Sequence, residues 1–207
     1  KQDKSLDVIA CMLPHAGYLY SGKVAAETVS GIKIKDRVIL LGPNHTGSGE
    51  EFSIMTEGIW QTPLGETKID SGLANRILNN SKYLKQDCLA HINEHSLEVE
   101  LPILQYFNPD FQIVPIVFAS DNIKFLKAIG EEIAASIKDK SRVLIVASSD
   151  MTHYESQMDA QRKDNQAIQA ILELDEDKLI DNVQRFNITM CGFSPVVVMI
   201  KAAKLLG

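Results

Sequence analysis

Three times along this chain, a short run of apolar and β-branched residues ends in a polar turn that carries a histidine. The first runs from Val8 to Leu13 and leads through Pro14 to His15. The second, Val38 to Leu41, stops at Gly42 and Pro43 and delivers Asn44 and His45. The third, Val143 to Ala147, leads through Ser148, Ser149 and Asp150 to His153. Continuous apolar runs of this length belong to strands covered on both faces, and a Gly-Pro pair ends such a strand abruptly. Amphipathic helical patterns fill the intervals, so the chain predicts one α/β domain over residues 1–207. Its central sheet should be mostly parallel or mixed, with helices on both faces. In open α/β sheets ligands bind in the crevice beyond the carboxyl ends of the strands. This sheet is therefore expected to carry imidazoles to one crevice.

The remaining elements follow from local signals. Residues 14–22 predict a Gly-rich turn, and residues 23–29 a small-residue helix that Gly31 ends. Residues 52–55 predict a short strand and residues 60–65 a loop. Ser71 is placed to cap a helix reaching Leu78. Glu94 and His95 are expected to open a helix that is kinked or restarted at Pro102, with Leu97, Leu101 and Leu104 on one face. The run 111–118 predicts a strand that Pro115 confines to an edge or a bulge. Asp121 should cap a helix with a stripe of Leu126, Ile129, Ile133 and Ile137. Two further stripes, at residues 167, 168, 171 and 172 and at residues 179, 180 and 183, precede a break at residues 191–195. A last apolar helix covers residues 196–206.

Composition bounds the function. The 207 residues are 45% hydrophobic and 23% charged, enough to bury a core. A net charge of -6 argues against a general nucleic-acid or acidic-membrane binder, since both attract basic surfaces. No apolar run approaches the roughly 18 residues of a membrane span. Three widely spaced cysteines do not make a disulfide framework, so a reducing, cytoplasmic setting is expected. The chain begins without Met and stops within a predicted helix, which reads as a piece of a longer protein lacking terminal segments.

His15 and His45 each follow a strand beside glycine or proline, where backbone and ligand can approach closely. One such histidine is as well explained by a bond to a turn carbonyl, whereas two after separate strands point to a metal or substrate site. Asp150 and His153, three residues apart, can face one pocket, the carboxylate orienting an imidazole that transfers a proton. The bland alternative is a helix start capped by Ser149 or Asp150, with His153 solvated. Glu94 and His95 suit either a positive helix end or the pocket, and His91 is expected at the surface. Cys11 and Cys88 read as small buried hydrophobes. Cys191 differs, because Gly192 and Pro195 mark irregular backbone from which a thiolate can enter a cavity. No phosphate-cradling loop, nucleophile elbow or Cys-x-x-Cys pair is present.

Five ordered motifs now make a pattern: residues 14–22, 42–45, 94–102, 148–154 and 191–195. Together they resemble the Memo family, known in microbes as AmmeMemoRadiSam system protein B. The resemblance spans nearly the whole chain but lacks the segment normally before the first strand and the strands normally after the last helix. It implies a fold like that of class III extradiol dioxygenases, non-haem iron enzymes with two His and one carboxylate as ligands. Carried over by motif, His15 and His45 match the metal-binding histidines and Cys191 the third ligand. His153 matches the acid–base histidine, with Asp150 beside it, and Asn44, Tyr18, Glu94 and His95 fall in the pocket motifs. One transition-metal ion is implied, iron or copper ahead of zinc, because a thiolate is softer than the carboxylate of the dioxygenases. The resemblance implies a metal-dependent redox protein or oxidoreductase holding a small-molecule or peptide ligand in the crevice. Its alternative is a scaffold recognising anionic or phosphotyrosine peptides, and zinc-assisted hydrolysis ranks third. It also implies a pathway shared with radical-SAM and AMMECR-type proteins.

Overall fold

A computed structural model of the protein describes residues 5–207. Its centre is a six-stranded sheet built from β1 (Ala10–Leu13), β2 (Arg37–Pro43), β3 (Phe52–Ile54), β6 (Lys85–Gln86), β7 (Gln112–Phe118) and β8 (Val143–Ser148). The strand order is β1-β8-β2-β7-β3-β6. The first four strands in that order run parallel, and β3 pairs antiparallel with β7. The result is the mixed α/β sheet that the alternation of strand and helix predicts. The flanking helices are α1 (Tyr18–Ser30), α2 (Ser71–Asn80), α3 (Leu89–Ile92), α4 (Glu100–Phe107), α5 (Ile123–Ser136), α6 (Gln157–Leu172), α7 (Glu176–Phe186) and α8 (Phe193–Leu206). Strands β2, β7 and β8 are buried almost end to end. Helix α8 packs on four strands of the sheet and on α5, and ten of its residues from Phe193 to Ala203 are buried. Among the described residues no helix is long and apolar enough to cross a membrane.

The sheet order decides where the site lies. Strands β1, β8 and β2 are parallel neighbours, so their carboxyl ends share one edge. His15, Asp150 and His45 each come two residues after the last residue of their strand. Parallel register converts that equal offset in sequence into proximity in space.

Several local expectations fail for identifiable reasons. Helix α1 starts at Tyr18, not Lys23, because Gly17 O already accepts from Ser21 N and burial of Ser21, Ala25 and Val29 along one stripe outweighs the cost of Gly22 in a helix. Residues 60–65 are not loop: β4 (Ile59–Thr62) and β5 (Gly65–Lys68) form an antiparallel hairpin. Residues 94–99 form turns, and α4 begins only at Glu100. Pro102 therefore sits in a first turn, where its missing N–H costs no hydrogen bond.

Pro115 is neither at an edge nor at a bulge, since β7 lies between β2 and β3. Its carbonyl accepts from Met55 N, so the missing N–H faces the place where β3 has just ended. Asp70 rather than Ser71 caps α2. Asn122 rather than Asp121 caps α5, while Asp121 accepts from Ser194 Oγ at 2.6 Å. On α6 the buried positions are Ala167 and Ala170, leaving Ile168 and Leu172 exposed.

Candidate metal centre

Two close backbone approaches bring the site together. A Cβ on Gly42 would lie 2.6 Å from Leu97 Cδ2 and 2.7 Å from Ser96 Oγ. The bare glycine thus lets the 94–99 turns lie against the tip of β2. A Cβ on Gly192 would lie 2.3 Å from both Ser148 O and Ser149 Cβ, and Gly192 N donates to Ser149 Oγ at 2.9 Å. That contact seats the break before α8 on the tip of β8. It sets Cys191 Sγ 3.2 Å from His15 Nε2, with Asp150 N donating to the sulfur at 3.3 Å.

Three imidazoles gather at the same edge. His15 and His45 meet edge to face at 5.2 Å between ring centroids, and His95 stacks on His45 at 4.9 Å. Side-chain atoms of His15, His45 and His95 lie within 4.8 Å of one another, as do those of His15, Asp150 and Cys191. The structure therefore makes two groups that share His15: one with His45 and with His95 from the turn after α3, the other with Cys191 and with Asp150 from the tip of β8.

The groups behind the imidazoles are arranged for ligation. Glu94 is buried, and its carboxylate accepts from His45 N, from His45 Nδ1 at 2.9 Å and from Ser96 N at 2.9 Å. His45 Nδ1 thus carries a proton, and its Nε2 faces the cluster. Ser148 Oγ does the same for His15. It lies 2.8 Å from His15 Nδ1, 2.8 Å from Ser96 O and 2.7 Å from Glu100 Oε1. A hydroxyl has one proton, and Ser96 O can only accept it. Ser148 then accepts from His15 Nδ1–H and shares its own proton between Ser96 O and Glu100 Oε1. Burial pushes the Glu100 carboxyl up to about 8, although its bond to Ser148 pulls the other way. Glu100 Oε2 is left buried without a partner, which a neutral carboxyl tolerates far better than a carboxylate.

The charges fit the same arrangement. Hydrogen bonds to Cys191 and then to Glu94 hold His45 up at about 10. Burial pushes the Cys191 thiol up, but hydrogen bonds from His15 and then His45 more than reverse this and lower it to about 6. Burial likewise opposes ionisation of Glu94, yet its bonds to His45 and Ser96 bring it down to about 2. Without a metal the cluster holds a thiolate and a carboxylate on either side of an imidazolium. A cation entering there would displace the protons that the two imidazoles share with the sulfur and meet two Nε2 lone pairs and a thiolate. The donor set and its hydrogen-bonded backing fit a transition-metal ion.

Other expectations change. Asp150 does not orient His153: its Oδ1 accepts from His15 N and Ala16 N, tying the turn after β1 to the tip of β8. His153 Nδ1 instead donates to Thr189 O at 2.7 Å, and its ring has no centroid contact with the three clustered histidines. Neither Ser149 nor Asp150 caps a helix, since α6 starts at Gln157 with Ser156 as cap. The polar atoms of Asn44 are spent inside its own turn, on Ser48 O, Thr46 and Gly47 N, so Asn44 shapes the loop and does not face a ligand. Tyr18 is half exposed on α1 and donates to Val99 O. His91 is buried, not at the surface, and Cys88 is exposed, not buried. The sequence pattern assigns no role to Ser96 or Glu100, and it places Ser148 only in the turn that leads from the third strand to His153. The available signal was a buried-type helix start that spends a glutamate on its apolar face.

A family model described as Memo-like protein matches residues 1–207. The chain belongs to the Memo family. A MEMO1 family protein of Aquifex aeolicus (strain VF5) is 44% identical over 199 residues, covering 96% of this chain and 74% of the relative. The MEMO1 family protein MK0963 of Methanopyrus kandleri is 41% identical over 199 residues, covering 94% and 70%. Among solved structures, the uncharacterized protein JW3007 of Escherichia coli K12 superimposes with a TM-score of 0.64 over 95% of this chain and 88% of its own. At 11% identity that likeness concerns the fold alone. For this Memo-family chain the shared fold accounts for the sheet edge, and the chemistry has to be argued from the side chains on it.

Proposed function

We propose that this Memo-family protein holds one transition-metal ion, iron or copper ahead of zinc, between His15, His45 and Cys191 and acts as a metal-dependent redox protein. His95 and Asp150 stand beside the three as exchangeable or additional donors. The observation that carries the proposal is the pair of Nδ1 hydrogen bonds, to Glu94 and to Ser148. They leave both Nε2 atoms free for the cluster, that of His15 3.2 Å from the sulfur of a cysteine lowered to about 6. A histidine that only stabilises a turn needs no such backing, whereas a ligating histidine regularly has it.

A soft thiolate beside two imidazoles supplies redox-active iron or copper with a strong donor and leaves further positions open. The chain's own residues would hold the ligands and keep Glu100 neutral beneath His15, while His153 is bonded through Nδ1 to Thr189 O. The peptide-scaffold reading has less support. Glu94 and Asp150 carry the fixed charges next to the histidines, and among the described residues no Lys or Arg bonds into the cluster.

The test is metal content after anaerobic purification, read with the absorption spectrum of the reduced and oxidised protein. Near-stoichiometric iron or copper with a thiolate charge-transfer band is expected. Both should be lost in His45→Ala and Cys191→Ala. If both variants keep the wild-type metal content, the ligand set is wrong.

A further inference from the structure

Beside the metal centre, on the far side of Glu94, lies a cleft of about 270 Å3 that none of the reasoning above uses. Met55, Ile59, Trp60, Ile92 and Leu101 form its apolar wall. Its polar wall is unusual for its sign. The charged side chains lining it are both carboxylates, Glu94 and Glu98, and no Lys or Arg is among them.

A further polar group of the lining is His91, which is 7% exposed and meets Trp60 edge to face at 6.1 Å. Ser53 Oγ donates its one proton to Asp87 O at 2.9 Å, so its contact with His91 Nε2 at 3.1 Å must be a bond from Nε2–H. His91 Nδ1 is then a bare lone pair, buried and without a partner. Burial holds this ring neutral, lowering it to about 4, which keeps that lone pair available at neutral pH. An unpartnered acceptor in a native interior calls for an explanation.

We propose that this cleft is a binding site for a small apolar molecule that carries a protonated amine, or a comparable hydrogen-bond donor, at one end. The donor would be met by His91 Nδ1 and by the exposed carboxylate of Glu98, while the buried Glu94, already bonded to His45 and Ser96, adds only its charge. The apolar body would lie against Trp60, whose ring face also attracts cations. The volume is at the small end of ligand sites and suits a molecule of roughly ten heavy atoms. An anion of the same size would be desolvated against two carboxylates with no compensating cation. The site is built independently of the metal centre and does not require that the metal reading hold. If both hold, Glu94 is the shared element, with one face on His45 and the other on the cleft.

Trp60 is the single tryptophan of the chain and reports on the site directly. Chelator-treated protein is titrated with benzylamine and with benzoate while Trp60 fluorescence is followed. Benzylamine should give a saturable change with a dissociation constant on the order of 0.1–1 mM, the range open to so small a molecule. Benzoate should give none. His91→Phe should weaken benzylamine about five- to tenfold through loss of one hydrogen bond. Glu98→Gln, an exposed change that leaves the core untouched, should weaken it about two- to fivefold. The proposal is overturned by an absent or non-saturable benzylamine response, by benzoate binding equally well, or by both variants binding as the wild type does. Because the metal has been removed, none of these outcomes depends on the fate of the metal reading.

Discussion

Glu100→Gln should change how the stability of this protein depends on pH, and the size of the change follows from the site. Glu100 is fully buried, and its carboxyl is raised from 4.5 to about 8. Between those values the native state holds a proton that the unfolded chain releases. The unfolded state therefore binds fewer protons there, and stability falls as pH rises. At about 1.4 kcal/mol per pKa unit, the loss amounts to about 3 kcal/mol by pH 7 and levels off near 5 kcal/mol above pH 8. His91 opposes this. Its ring is lowered from 6.5 to about 4, so stability rises with pH in that window by about 3 kcal/mol. The wild-type profile alone is thus a poor diagnostic, and the difference from the variant is the quantity to measure.

A glutamine side-chain oxygen can still accept from Ser148 Oγ, and the amide never ionises. It strands one extra N–H, at a pH-independent cost of about 1 kcal/mol. Urea unfolding of chelated protein from pH 5 to 8.5 should find Glu100→Gln equal to or slightly below the wild type at pH 5. It should be several kcal/mol above the wild type at pH 8. A difference constant to within about 0.5 kcal/mol across that range, near the error of such extrapolations, would falsify the neutral-acid assignment.

Other perturbations test other contacts. Gly192→Ala puts a methyl 2.3 Å from Ser148 O, so the backbone must shift. An overpacking loss of about 1–3 kcal/mol in thermal unfolding is expected, together with weaker metal binding as Cys191 moves off the tip of β8. Glu94→Gln removes the carboxylate that accepts three N–H bonds. It should lower metal affinity about 10- to 100-fold in competition titrations; an unchanged affinity would mean that His45 is no ligand. Alkylation of Cys191 in metal-free protein should rise with pH around 6, where the thiolate forms, and not near 9. His15→Ala should move that rise to higher pH, and an unshifted profile would dissociate the thiol from the imidazole.

The repeated unit of apolar run, turn and histidine was enough, by itself, to specify a covered mixed sheet and to nominate His15 and His45. The reason is local. β-branched runs of this length adopt one conformation, and Gly42 and Pro43 end a strand whatever surrounds it. The break at Cys191 was legible on the same grounds. What needed the tertiary structure was everything set by pairing between distant segments. Strand order placed β8 between β1 and β2, so Asp150 came to serve His15, while its sequence neighbour His153 turned to Thr189. The same order put β7 inside the sheet despite Pro115, because β3 ends where the missing N–H points. Burial separated His91 from His95 and Glu100 from Glu98, residues of the same types a few positions apart. Sequence periodicity cannot supply that distinction: a side chain's protonation depends on which hydrogen-bond partners and how much water the folded chain leaves it.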